Sequence, residues 1–527
     1  MSKSTTSNFS HRAFKTYLYP ILAGACIFLG FESLKLFPLL LLWPFFLNGM
    51  RQLPLKQKIA AYWLMAISAN LGGYYWITLV AQDYGGLPGF AAVGVLLLFS
   101  FFNNLNFPLW AYLERSFGEK SSPFITAALF VAAEQINPQV FPWYFGTCLD
   151  SVLVLYQTAD LFGVCGLSFV AVAILHIPYW LWQHRQKLWT NHKLAFMRLL
   201  AFLVFIITYG IGALNKYNNE PAPNKKSVGI TLVQSNTTME KFYGATLSAQ
   251  ERLAEFQNIV ELSEEALRQH SQKPDLVVWP EGAVHFPILN YRLIFNTISD
   301  LARRYQVFLT AGSAELDGKH PSGRPRYYNT QFVLNPQGEI VGKYRKIVLL
   351  AFGEYIPFLD TFPFLENWLP ETISNFTRGT EKPIFSISEN IHWLPLICYE
   401  DIISNFISGF GHRQADFMVN VTNDGWFGKS PASHLHKQMA RPRTVEYRKP
   451  LVRALNTGSS QIIDAAGRTI SRETGIYTRE YINSTLYLPE KPPITVYSII
   501  GNWPVYGLIF IVGLLWVKMK FFPKNQK

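Results

Sequence analysis

The 527 residues are 49% hydrophobic and 16% charged, a charged share well below the roughly 25% of ordinary soluble domains, and the net charge is +12. Lysine and arginine gather at the ends of apolar blocks rather than in basic runs interleaved with aromatics, which argues against a nucleic-acid track and for membrane orientation. A length that allows about three domains is divided by composition into a long apolar region, a stretch of soluble character and a closing apolar block.

A membrane crossing needs about 20 mostly apolar residues. Residues 17–47 exceed one crossing and are interrupted by Glu32 and Lys35, so they read as two, the second short and broken by Pro38 and Pro44. Residues 59–80 and 90–110 follow, then 123–136, a short or re-entrant piece, then 161–182 and 194–214. Residues 496–517 close the set, giving about eight spans. The first block is too long for a cleavable signal peptide and has no small-residue cleavage site, so it is expected to remain as a span.

Orientation follows from the loops. Lys3, Arg12 and Lys15 precede the first span; Arg51, Lys56 and Lys58 follow the second; Arg115 and Lys120 follow the fourth; Arg185, Lys187 and Lys193 follow the sixth. Lys518, Lys520, Lys524 and Lys527 follow the last, whereas loops 81–87 and 137–160 carry neither lysine nor arginine. The positive-inside rule puts both termini in the cytoplasm and the soluble stretch, after seven spans, on the outer face. Glu134 and His176 lie inside apolar blocks, where an ionisable group is either functional or hydrogen-bonded within the bundle.

Within residues 225–493, short β-rich runs at 228–233, 276–279, 307–311, 331–334, 394–397 and 417–421 alternate with helical patterns. Ser248 and Glu251 form a capping box ahead of Leu253, Phe256, Val260 and Leu267 at helical spacing. This alternation predicts a layered α/β domain. Several strands run straight into chemistry: Trp279-Pro280-Glu281, then Cys398-Tyr399-Glu400-Asp401, then Thr422-Asn423-Asp424-Gly425-Trp426. Of the four cysteines only Cys398 lies here, so the domain has no internal disulfide. Taken alone, Cys398 is either a nucleophile or a small core residue.

In order and spacing, Trp279-Pro280-Glu281, Tyr344-Arg345-Lys346 and Cys398-Tyr399-Glu400 resemble the nitrilase superfamily. The resemblance implies an αββα sandwich with Glu281 as general base, Lys346 stabilising the oxyanion and Cys398 as nucleophile. The residue types suit those roles. A thiol is mostly protonated at neutral pH and needs a carboxylate to take its proton, and the tetrahedral intermediate needs an ammonium or an N–H group, here that of Tyr399, for its charge. The membrane spans narrow the match: a domain of this kind between the penultimate and last spans resembles the apolipoprotein N-acyltransferase family. Phe352-Gly353-Glu354-Tyr355-Ile356-Pro357 is similar to that family's F-G-E-x-x-P, and Asn423-Asp424-Gly425-Trp426-Phe427-Gly428 to its N-D-x-W-F-G. His436, the 438–441 and 453–458 segments, and Phe141-Pro142-Trp143 add to the likeness. By the same resemblance, Glu354, Tyr399, Glu400, Asn423 and Trp426 support catalysis or substrate handling. Phe242 stands where many relatives carry a tryptophan, and Val348 where soluble nitrilases often have a histidine.

The resemblance therefore implies three parts: a membrane domain over 1–224 with about seven spans, a catalytic domain over 225–493, and a last helix with a basic tail over 494–527. It implies a monomer in the bacterial inner membrane, with the catalytic domain in the periplasm. A phospholipid would acylate Cys398, and the thioester would pass its acyl chain to the α-amine of a diacylglyceryl-cysteine apolipoprotein, with no metal and no cofactor. A membrane-tethered amidase, whose thioester is taken by water, and a non-catalytic lipid-binding scaffold are the alternatives. His434 and His436 have no cysteine nearby and no carboxylate at ligand spacing, and make a poor metal site. The aromatic stretch 349–370 reads as a mobile arm at the lipid entrance that carries Glu354, or as ordinary core.

Overall fold

The computed structural model describes residues 14–32, 36–118, 122–139, 141–237, 248–270, 273–319, 325–351, 353–355, 362 and 376–521. Phe242, Phe358 and most of the 349–370 stretch lie outside the described residues.

Five helices among the described residues are long and apolar enough to cross a membrane: Phe14–Phe31, Gly89–Phe117, Ala159–His184, Lys193–Lys216 and Trp503–Phe521. The pair Leu55–Gly73 and Ile77–Asp83, bent by 57° at the break, is long and apolar enough only when taken together, as a broken span or a re-entrant loop. The two segments read from sequence as short are the helices Trp43–Arg51 and Pro123–Ile136. Even the longer is about 21 Å at 1.5 Å per residue, under the roughly 30 Å of a hydrocarbon core. Ala159–His184 is the central helix, 67% buried, whereas Lys193–Lys216 and Trp503–Phe521 are only 17% and 11% buried and face outward. Inside the bundle, buried Glu114 gathers Arg51, Lys58 and the hydroxyl of Tyr62, which ties three helices together. Glu134 accepts the backbone N–H of Phe145 at 2.7 Å, and His176 Nδ1 lies 2.8 Å from the carbonyl of Val172.

The domain that follows holds two sheets. One has the order β11-β1-β2-β3-β4-β5 and the other β10-β9-β8-β7-β6. The first is built from β1 (Lys225–Gln234), β2 (Leu276–Val278), β3 (Phe308–Lys319), β4 (Pro325–Leu334), β5 (Ile340–Arg345) and β11 (Glu480–Pro489). The second is built from β6 (Phe385–Ser388), β7 (Ile391–Ile397), β8 (Phe417–Thr422), β9 (Leu451–Leu455) and β10 (Gln461–Ile463).

Side chains alternate across a strand, and these strands use both faces. Val228, Ile230, Leu232, Leu276 and Val278 pack with Leu394, Leu396, Val419 and Val421 of the other sheet. Val233 and Val277 point the other way, into Phe256, Ile259, Ile298 and Leu301. These last residues belong to the helices Ala249–Gln269 and Arg292–Tyr305, the crossovers that parallel pairing of β1, β2 and β3 demands. The parallel step from β8 to β9 likewise needs a crossover, supplied by the helices Ala432–Ala440 and Pro442–Tyr447.

That second crossover is also the seam with the membrane helices. Arg448 pairs with Asp160 at 2.7 Å and Arg441 with Asp150 at 3.0 Å. Gln438 donates to the carbonyl of Phe31 at 2.9 Å. Ala159–His184 breaks at Gly163 (φ 65°, ψ −167°), and Glu446 caps the resumed helix by accepting the N–H of Val164 at 2.8 Å.

Candidate active site

Each proposed reactive residue begins where a strand stops. β2 ends at Val278, and Trp279 fixes the next step: its N–H donates to Thr310 at 2.9 Å and its indole to Ser263 at 2.9 Å. Gly312 on β3 lies against this turn so closely that a Cβ there would come within 2.8 Å of the Glu281 Cα. Lys346 follows β5, its N–H donating to the carbonyl of Asn329 at 2.8 Å. Cys398 follows β7 and has a φ of 52°, in the left-handed region, which costs a non-glycine residue roughly 1–3 kcal/mol. Its carbonyl is held by the amide of Asn420 at 2.9 Å.

These ends converge on one buried cluster. Lys346 Nζ lies 3.3 Å from Glu281 Oε1 and 2.8 Å from Glu354 Oε2. Asn329 Nδ2 donates to both carboxylates, at 2.6 Å to Glu281 and 2.8 Å to Glu354. The second oxygen of Glu281 accepts the backbone N–H of Asn423 at 2.9 Å, and Glu354 Oε2 accepts that of Leu350 at 2.9 Å. Cys398, Lys346, Glu281 and Glu354 are all buried, which sharpens every charge between them.

Burial pushes the Cys398 thiol well above its usual value. Glu281 adds to that push and Lys346 opposes it. The carboxyl of Glu281 is also raised by burial, with Lys346 pulling it down. Burial disfavours the Lys346 ammonium, yet Cys398, Glu281 and Glu354 together hold its pKa well above the normal lysine value. The cluster thus presents a protonated thiol, a carboxylate of raised basicity and a permanent cation. Such a set can accept a thiol proton while a nucleophilic sulfur forms, and can balance the negative charge of a tetrahedral adduct.

The supporting residues fall around it. Glu400 accepts the Tyr344 hydroxyl on both oxygens at 2.8 Å, and the N–H groups of Ile347 at 2.8 Å, Val348 at 3.0 Å and Ile397 at 2.9 Å. It buckles the lysine loop to the cysteine turn. Tyr399 has its ring 6.0 Å from that of Phe141, and Trp426 lies 5.0 Å from Tyr84, so aromatic residues of the two turns meet the connections at the ends of the membrane helices. The side chain of Asn423 accepts the Gly425 N–H at 3.0 Å and caps the turn that carries Trp426.

Two arrangements are not marked by any motif. Asn329 bridges both carboxylates, and its only signal is a polar Asn-Thr-Gln run in mid-strand. The other is the pair of carboxylates on His436: Asp401 at 3.0 Å from Nε2 and Asp424 at 2.9 Å from Nδ1. They stand 35 and 12 residues away in the chain, beyond any local ligand spacing.

A family model described as Carbon-nitrogen hydrolase matches residues 230–484, and one described as Apolipoprotein N-acyltransferase N-terminal domain matches residues 23–177. The apolipoprotein N-acyltransferase of Bdellovibrio bacteriovorus is 30% identical over 487 residues, 87% of this chain and 85% of its own. That of Geobacter metallireducens is 31% identical over 495 residues, 90% of each chain. Among solved structures, Saccharomyces cerevisiae Nit3, a member of branch 10 of the nitrilase superfamily, aligns with a TM-score of 0.38 and 18% identity over 54% of this chain and 97% of its own. With both halves of the sequence matched and 31% identity carried across nine-tenths of its length, this chain belongs to the apolipoprotein N-acyltransferase family.

Proposed function

We propose that the chain moves an acyl group from a membrane phospholipid to the N-terminal α-amine of a diacylglyceryl-cysteine apolipoprotein, through a thioester on Cys398. The observation that carries this reading is the buried cluster of Glu281, Lys346 and Cys398 in a domain whose crossover is bolted to membrane helices. In the first half-reaction the Cys398 sulfur attacks the ester carbonyl and Glu281 takes the thiol proton. The oxyanion is balanced by Lys346. Collapse breaks the C–O bond, and Glu281 returns the proton to the departing lysophospholipid oxygen. In the second half-reaction the α-amine attacks the thioester, Glu281 accepts an amine proton, the C–S bond breaks, and the sulfur recovers its proton. This is ping-pong chemistry on one nucleophile. Glu354, Asn329 and the Asn423 amide keep Glu281 and Lys346 in place.

The parts of the chain are read as 1–224, 225–493 and 494–527, working as a monomer in the bacterial inner membrane. The orientation is supported by where the seam lies. Phe31, Asp150 and Asp160, which meet the catalytic domain, sit at the ends of spans opposite to those flanked by Arg51, Lys58 and Lys187. This reading puts the catalytic domain in the periplasm, where both lipidated substrates reach it from the outer leaflet.

Intact-mass analysis of the purified protein after incubation with phospholipid tests the reading. A hydroxylamine-sensitive acyl adduct is expected on the wild type, discharged by a diacylglyceryl-cysteine peptide, absent from Cys398→Ala and slowed by about 10²–10⁴ in Glu281→Gln. An adduct that water discharges while the peptide does nothing would instead identify an amidase-like hydrolase.

A further inference from the structure

We infer that His436 is a positioning residue for this reaction: it clamps the turn bearing the nucleophile and the turn supporting the general base by donating a hydrogen bond to a carboxylate on each. The inference rests on the thioester reading above for its consequence, but not for its geometry. Asp401 belongs to the turn Cys398–Ile402, which begins with the nucleophile. Asp424 belongs to the turn Asp424–Phe427, immediately after the Asn423 N–H that donates to Glu281. His436, on the helix Ala432–Ala440, reaches Asp401 with one ring nitrogen and Asp424 with the other.

An imidazole can donate from both nitrogens only when it is the cation. The surroundings favour that form. Burial works against the charge, but Asp424 and Asp401 outweigh it and raise His436 to about 9, while Arg453 lowers it. Among the described residues, the charged and polar groups around it have further partners. Asp401 also accepts from Arg453 of β9 at 3.0 Å, and Asp424 also accepts the Ser433 hydroxyl at 2.6 Å. On the same helix Lys437 turns to Glu473 at 3.0 Å, and across the packed turn Phe145–Ser151 the carboxylate of Asp150 is taken by Arg441 at 3.0 Å. Asp424 is one of the charges that raise the Cys398 thiol. Loss of the histidine proton would therefore free a turn and strengthen the negative field on the sulfur.

The test is the rate of Cys398 alkylation by iodoacetamide in the full-length detergent-solubilised protein, followed by mass across pH, with phospholipid acylation measured in parallel. In the wild type the rise of alkylation with pH is expected to break near the histidine value of about 9. Asp424→Asn removes the larger of the two raising charges, so the break should move to lower pH by about one unit, and, with that charge no longer raising the thiol, alkylation at neutral pH should rise by up to about tenfold. His436→Gln should abolish the break and slow alkylation by about tenfold at neutral pH. A wild-type profile with no break, a break that stays in place in Asp424→Asn, or unchanged alkylation in His436→Gln would each overturn the inference. If His436→Gln does not yield folded protein, the wild-type and Asp424→Asn profiles decide it. Normal alkylation profiles with no acyl adduct would sink the acyltransferase reading and leave the clamp standing.

Discussion

At the scale of single residues, the site is a problem of holding charge out of water. Glu400 is fully buried and, among the described residues, has no ion-pair partner; it is held by one hydroxyl and three backbone N–H groups, with the Lys346 charge acting from farther off. Burial pushes its carboxyl up to about 7, against the pull of the Val348 and Ile397 N–H groups. A folded-state value above the unfolded 4.5 means that the folded protein binds the extra proton between the two. The stability contributed by Glu400 is thus full below about pH 4.5 and lost as pH rises through about 7. Glu400→Gln puts an amide N–H where N–H donors already point, at a cost of about 1–3 kcal/mol. Thermal unfolding in detergent should show a lower Tm for the variant, with the gap to wild type widest near pH 5 and narrower near pH 8. A gap that widens with pH would refute the assignment of that proton.

Among elements, the turn after a strand is the unit that matters. Cys398 directly follows the apolar end of β7 and Glu281 stands just past the apolar β2, so strand pattern and motif point to the same residues, whereas Lys346 follows the mixed Ile340–Arg345 run and is marked by its motif alone. Asn329 has neither mark, because it sits inside β4 and gains its meaning only from two carboxylates delivered by other elements. The clamp on His436 was equally hidden, its partners being set by the β7–β8 pairing and not by chain distance. Spans were legible where apolar runs are long; the short Trp43–Arg51 and Pro123–Ile136 pieces and the 57° bend after Gly73 depend on neighbours that composition does not name. One element contact makes a further prediction. Because Gly312 abuts the backbone of Pro280 and Glu281, Gly312→Ala must displace that turn. The expected loss is about 1–3 kcal/mol of stability. Acylation, followed by intact mass, should fall further than the Tm shift alone would explain. Full acylation with an unchanged Tm would mean the turn has slack.

On the scale of the whole molecule, the proposed orientation can be read directly. Arg479 lies exposed on the catalytic domain and Lys187 lies exposed at the far end of Ala159–His184. In cells with a permeabilised outer membrane, a membrane-impermeant maleimide should label Arg479→Cys and leave Lys187→Cys untouched until the inner membrane is broken. The reverse pattern would invert the assignment of the two faces.

The strand that opens the catalytic domain and the strand that closes it are hydrogen-bonded neighbours, with Lys225 opposite Pro489 in register. The chain therefore leaves the helix Lys193–Lys216 and comes back to Trp503–Phe521 through two adjacent points, like a drawer on a single handle. For the bundle, the whole domain is equivalent to one tight loop between two consecutive helices. The covalent path of the bundle is thus undisturbed by the domain, and what fastens the two beyond it is the seam at Asp150, Asp160 and Val164. Domain and bundle are joined twice, by this junction and by the crossover seam, so exchanging one by design would require the seam residues to travel with it.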